Sequence, residues 1–78
     1  MKLTEEWINK RIDTFYENVE KLREKEGLSY RQFSMKIGKG ENWWSHCLQE
    51  RRRINIIDLQ VICETFQVKP NDLLQTKK

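Results

Sequence analysis

Asn42, Ser45, His46 and Gln49 recur every three or four residues within GKGENWWSHCLQERRR, residues 38–53. At about 100° per residue they share one face of a helix, while Trp44, Cys47 and Leu48 share the opposite, apolar face. The polar set carries recognition chemistry. Asn and Gln amides pair bidentately with adenine, Ser contacts either base type, and each good bidentate pair discriminates by about 1–3 kcal/mol. Arg51, Arg52 and Arg53 follow at once, with Lys39 just upstream. Cations of this kind hold phosphates without reading sequence. The bland alternative is a solvated helix face bordered by a charge run.

Other chemistries find little support. His46 is the only histidine, and neither Cys47 nor Cys63 stands at a zinc spacing, so no metal site is expected. Paired active-site carboxylates, a nucleophile elbow and a phosphate loop are all missing from the sequence, which argues against an enzyme and against a cofactor. The tryptophan pair divides. Trp44 belongs to the apolar face, whereas Trp43, turned by about 100°, lies between the two faces. It can cover a helix flank, touch a sugar or thymine methyl, or anchor a protein interface. Glu41 favours a helix N-terminus electrostatically; aimed at DNA it repels phosphate, although Glu can accept from cytosine N4. Glu41 and Trp43 therefore stand as candidates for base or partner contacts.

These side chains need helices to position them, and the pattern supplies helices throughout. Ile8, Ile12, Phe15, Val19 and Leu22 form a continuous stripe. It predicts one long helix, or two with a break near Asp13 and Thr14. Thr4 is its candidate N-cap, with Glu5 and Glu6 in the first turn and Gly27 as the stop. Ser29 and Gln32 have capping-box spacing and Leu28 and Phe33 that of a hydrophobic staple. They predict a short helix from Tyr30 to about Ile37, facing inward through Phe33 and Ile37, with Ser34 or Met35 beside them. Gly38-Lys39-Gly40 makes a tight turn, and a third helix starts at about Glu41. Asn55 and Asp58 open a fourth, with Ile56, Leu59, Cys63 and Phe66 as its stripe. Pro70 starts a short fifth helix carrying Leu73 and Leu74, and residues 76–78 form a frayed tail.

The composition agrees with an all-α fold, a compact bundle of about five helices. A chain of 78 residues suits one domain, and its 37% apolar and 35% charged content is that of a soluble helical protein. Cys47 and Cys63 occupy apolar positions with no secretory signal ahead of them, which predicts reduced core thiols in a cytoplasmic protein. No apolar run reaches the roughly 18 residues of a membrane span. The net charge of +3 is unevenly placed: residues 29–53 carry six Lys and Arg against two Asp and Glu, while the flanking thirds are close to balanced. A basic patch confined to one motif suggests a polyanion partner.

Helix, short helix, three-residue turn, helix and two further helices resemble the lambda-repressor-like (Cro/CI, XRE-type) helix-turn-helix family. The likeness runs from Val19 to Leu74 and is carried by VEKLREKEGLSYRQFSMKIG and LQVICETFQVKPNDLL. It implies a helix-turn-helix domain over 19–75, preceded by a helical extension, 1–18, continuous with the first helix. It also implies a recognition helix over about 41–50, lying in the major groove with Asn42, Ser45, His46 and Gln49 toward the bases. Phosphate contacts then fall to Tyr30, Arg31, Gln32, Lys39, Arg51, Arg52 and Arg53. The sequence departs from the family at four positions. Ser34 stands where Ala is usual, Leu48 where Glu is usual, Glu50 where Gly is usual and Ile54 where Pro is usual. Leu48 removes a carboxylate that commonly pairs with an arginine such as Arg23. Without Gly at 50 or Pro at 54, nothing in the sequence stops the third helix before the arginines.

Two functions follow from different classes. One is a phage or bacterial transcriptional regulator, a repressor being the usual type, whose partner is double-stranded DNA and which can act as a homodimer on two half-sites. The stripe Trp7, Ile8 and Ile12 then either makes the dimer contact or folds back on the core. The alternative is a module binding another repressor protein, as an antirepressor or modulator, through the same surface.

Overall fold

The computed structural model describes residues 5–51 and 54–74. Five helices follow in order: α1 (Glu5–Lys25), α2 (Tyr30–Lys36), α3 (Trp43–Glu50), α4 (Ile56–Phe66) and α5 (Pro70–Leu74). Among the described residues there is no strand. Thr4 and the tail at 76–78 lie outside them.

α1 is one unbroken helix. The Thr14 hydroxyl donates to the Lys10 carbonyl at 3.0 Å, so this residue bonds within the helix instead of capping a second start. Gly27, at φ +71°, ends the run, and Leu28 N–H donates to the Arg23 carbonyl at 3.2 Å. Both arms of the capping box at α2 are formed: Gln32 N–H donates to Ser29 Oγ at 3.1 Å and Ser29 N–H to Gln32 Oε1 at 2.9 Å. Asn55 caps α4 by accepting from Asp58 N–H at 2.8 Å.

The core joins all five helices. Phe15, Tyr16 and Val19 of α1 meet Phe33 and Ile37, Trp44 and Cys47 of α3, Ile62 and Cys63 of α4, and Leu73 of α5. Its centre is aromatic. Trp44, fully buried, lies 5.3 Å from Tyr16 and 4.9 Å from Phe33, which stacks in turn on Phe66 at 5.4 Å. Both cysteines are buried and form no disulfide, and burial pushes the Cys63 thiol above its ordinary pKa, keeping it protonated. The first turns of α1 reach beyond this core. Trp7, Ile8 and Ile12 line a groove floored by Ile54, Leu59 and Leu74. α5 is fastened beside it: Asn18 donates to the Leu73 carbonyl at 2.7 Å and Arg11 to that of Leu74 at 3.4 Å.

Two sequence expectations, the start of α3 and the facing of Ile56, need correction. α3 begins at Trp43, not Glu41, because residues 41 and 42 form a turn. Its end at Glu50 agrees with the expected span: Arg51 takes the left-handed conformation, φ 49° and ψ 47°, that a glycine usually supplies, and stops the helix before the arginines. Finally, Ile56 does not face inward: it is 75% exposed, since it occupies the first turn of α4 and the burial falls on Ile62 and Cys63.

Gln67 ends α4 in the same left-handed way, φ 56° and ψ 46°, and is exposed. A side chain costs about 1–2 kcal/mol there, partly offset by the greater chain entropy of glycine. Gln67→Gly should therefore raise the unfolding free energy by about 0.5–1 kcal/mol in a urea titration, and a loss of stability would contradict this account of the cap.

Candidate nucleic-acid interface

The surface built by α2, the turn at 37–42 and α3 depends on how α3 is held. Ser34, fully buried, donates its hydroxyl to the Tyr30 carbonyl and accepts from Trp44 N–H, both at 2.9 Å. α2 thereby takes up a backbone donor at the start of α3. On its other side, Trp44 Nε1–H donates to Glu20 Oε2 at 2.7 Å. Glu20 also accepts from Arg23 Nε at 2.8 Å and from its terminal nitrogen at 3.1 Å, and Arg23 donates to the Leu28 carbonyl at 2.6 Å. One polar chain therefore runs from the α1–α2 turn through α1 to α3.

This chain answers the departure at Leu48. Leu48 is half-buried against the core, and Arg23 finds its carboxylate three residues back on its own helix, at Glu20. The spacing of Glu20 and Arg23 was a readable signal; the tie to Trp44 was not. Burial would raise the Glu20 pKa, but the hydrogen bonds from Arg23 and Trp44, with the Arg23 charge, outweigh it and hold the carboxyl below its ordinary value.

On the outward face, Asn42, His46 and Gln49 are exposed together. Ser45 is half-buried beside them, its hydroxyl 3.4 Å from the Asn42 carbonyl oxygen. Trp43 packs its flank on the core, 5.9 Å from Trp44, with the Lys39 ammonium 5.4 Å from its ring. The cations around this face have partners. Lys39 pairs with Asp58 at 2.7 Å, drawing the turn to the start of α4, and Arg31 with Glu41 at 3.3 Å, both well exposed. Arg51 bends back to α1, 3.7 Å from Asp13 and 5.2 Å from the Tyr16 ring centre. Gln32 gives its carbonyl oxygen to the capping box, and the Tyr30 ring carries the Arg23 guanidinium at 4.5 Å. Arg52 and Arg53 lie outside the described residues. Sequence reasoning missed Glu20 and Asp58 as partners and Ser34 as a cap, although Ser34 had stood out as a departure.

Two short helices, joined by a turn at Gly38 with φ +79° and locked at a shared hydroxyl, leave the second helix's polar face open. Residues 18–78 match the Cro/C1-type HTH DNA-binding domain. The chain belongs to this family. No curated protein and no solved structure matches it. As a Cro/C1-type domain it is a DNA-binding regulator, and its five helices form the small helix-turn-helix bundle. Among the described residues, no helix is long and apolar enough to cross a membrane and no cluster of His, Cys, Asp or Glu could hold a metal ion.

The lowered Glu20 pKa fixes the sign of an acid effect. A group titrating lower in the folded than in the unfolded chain adds stability above its unfolded pKa and loses it as pH falls through the folded value. Glu20→Gln should cost about 1–3 kcal/mol near neutral pH, and its deficit against the parent should shrink as pH falls below the ordinary carboxylate range. A deficit equal at neutral and acid pH would show that the charge of Glu20 does not contribute.

Proposed function

We propose that this protein is a sequence-specific transcriptional regulator of phage or bacterial Cro/CI type. It works in the cytoplasm, occupying an operator and blocking or altering transcription, with residues 19–75 as the reading domain. α3 enters the major groove, which is about 12 Å wide and takes one helix. Asn42, Ser45, His46 and Gln49 meet base edges, and Glu41 and Trp43 sit at the leading edge of the contact. Tyr30, Arg31, Gln32, Lys39 and the arginines 51–53 meet phosphates. The observation that carries this reading is an exposed amide and imidazole face on a helix held rigidly from behind, in a chain of the Cro/C1 family.

A second reading has an observation of its own. Arg31, Lys39 and Arg51 each have a carboxylate partner, which lowers the positive potential available to DNA. A face so compensated also suits a protein partner, such as another repressor, gripped at the half-buried Trp43.

Selection from a random duplex library should enrich one sequence, and its binding should weaken steeply between about 50 and 200 mM salt. Replacing Arg52 and Arg53 with Gln should reduce the salt slope by about 0.9 for each phosphate that is no longer neutralised, without changing the enriched sequence. If no sequence is enriched while a pull-down recovers a repressor that fails to bind the Trp43→Ala variant, the protein-partner reading replaces this one.

A further inference from the structure

The residue at the head of a helix ordinarily spends its side chain on the helix itself: Asn at an N-cap accepts from one of the first free N–H groups. α3 breaks this habit. Asn42 occupies its N-cap position but makes no side-chain cap bond, and its backbone, φ −105° and ψ 5°, lies outside the extended region from which a cap reaches back. At Ser29 and Asn55, where the side chain does cap, the backbone is extended, with ψ 170° and 164°. The missing acceptor comes from another helix. Ser34 Oγ receives Trp44 N–H at 2.9 Å while its own proton goes to the Tyr30 carbonyl, so the hydroxyl is oriented with its lone pair toward α3.

We propose that Ser34 caps the recognition helix from α2 and thereby releases Asn42 to act as a specificity-determining side chain. The inference rests on the DNA reading above and assigns the two residues linked roles. Asn42 is exposed at the leading end of α3, and its amide offers the donor and acceptor together that a bidentate contact to adenine requires. An Asn that capped the helix would spend its Oδ1 there and lose the acceptor half of that pair. Ser34, fully buried and so unable to touch a base, is a positioning residue: it acts through the backbone of α3 and through the freedom it leaves to Asn42.

Asn42→Ala, Ser34→Ala and the double variant separate these roles when each is unfolded in urea and each is tested against the duplex that the parent chain enriches from a random library. Asn42→Ala should leave stability unchanged and lower discrimination at one base pair about tenfold. Ser34→Ala should reduce the folded-to-unfolded ratio about fivefold, the ordinary effect of removing a cap, and also weaken discrimination at that same base pair. The double variant should discriminate no worse than Asn42→Ala alone. An Asn42→Ala chain as destabilised as Ser34→Ala would overturn the cap assignment. A Ser34→Ala chain that keeps full discrimination would make Ser34 merely structural and overturn the linkage. A parent chain that enriches no duplex would overturn the base-reading role together with the DNA reading, while the unfolding comparison would still decide which residue caps α3.

Discussion

A buried indole must hydrogen-bond its N–H or leave it unsatisfied at a cost of about 1–3 kcal/mol, and Trp44 meets this demand through Glu20. The solution creates a second demand, since a partly buried carboxylate is costly unless its charge is compensated. Arg23 provides that compensation with two hydrogen bonds and carries the connection onward to the Leu28 carbonyl, where the chain leaves α1 for α2. Core packing and helix placement are thus coupled at one side chain. Trp44 fills the centre of the aromatic cluster, and its indole and backbone N–H groups point to α1 and α2 respectively. α3 contains only eight residues, too few to be stable alone, so its orientation comes from this junction.

α3 is held rigidly from behind and left open in front. The polar atoms that fix α3 lie on its buried side, leaving Asn42, His46 and Gln49 exposed. The charges around them are tempered. Asp58 draws in Lys39, Glu41 sits against Arg31, and Asp13 holds Arg51, so attraction to a polyanion is weaker than a count of arginines suggests. On the DNA reading proposed above, such a surface draws more of its affinity from side-chain hydrogen bonds and less from bulk electrostatics.

What the sequence made legible was local. Ser29 with Gln32, and Asn55 with Asp58, act over three residues, so their spacing alone predicts their bonds. The stripe of α1 and the core position of Trp44 follow from periodicity, and they were readable for the same reason. The partners of Trp44 were not, because Ser34 and Glu20 lie ten and 24 residues away and meet it only once the helices pack. The end of α3 was hidden differently. Its stop depends on a left-handed Arg51, an arginine in a place where glycine is the usual signal, secured by contacts with Asp13 and Tyr16 from another helix. Ile56 misled because the stripe of α4 starts one turn before the helix reaches the core. The outward set on α3 was legible as a face; its freedom from capping duty was not.

If Trp44 is the junction on which α3 depends, its indole proton is released only when the domain opens as a whole. Native-state hydrogen exchange followed at the indole N–H of Trp44 measures this directly. The expected opening free energy equals that of the slowest backbone amides of α1. Exchange through a local opening of much lower free energy, with the α1 amides still protected, would contradict the role given to Trp44.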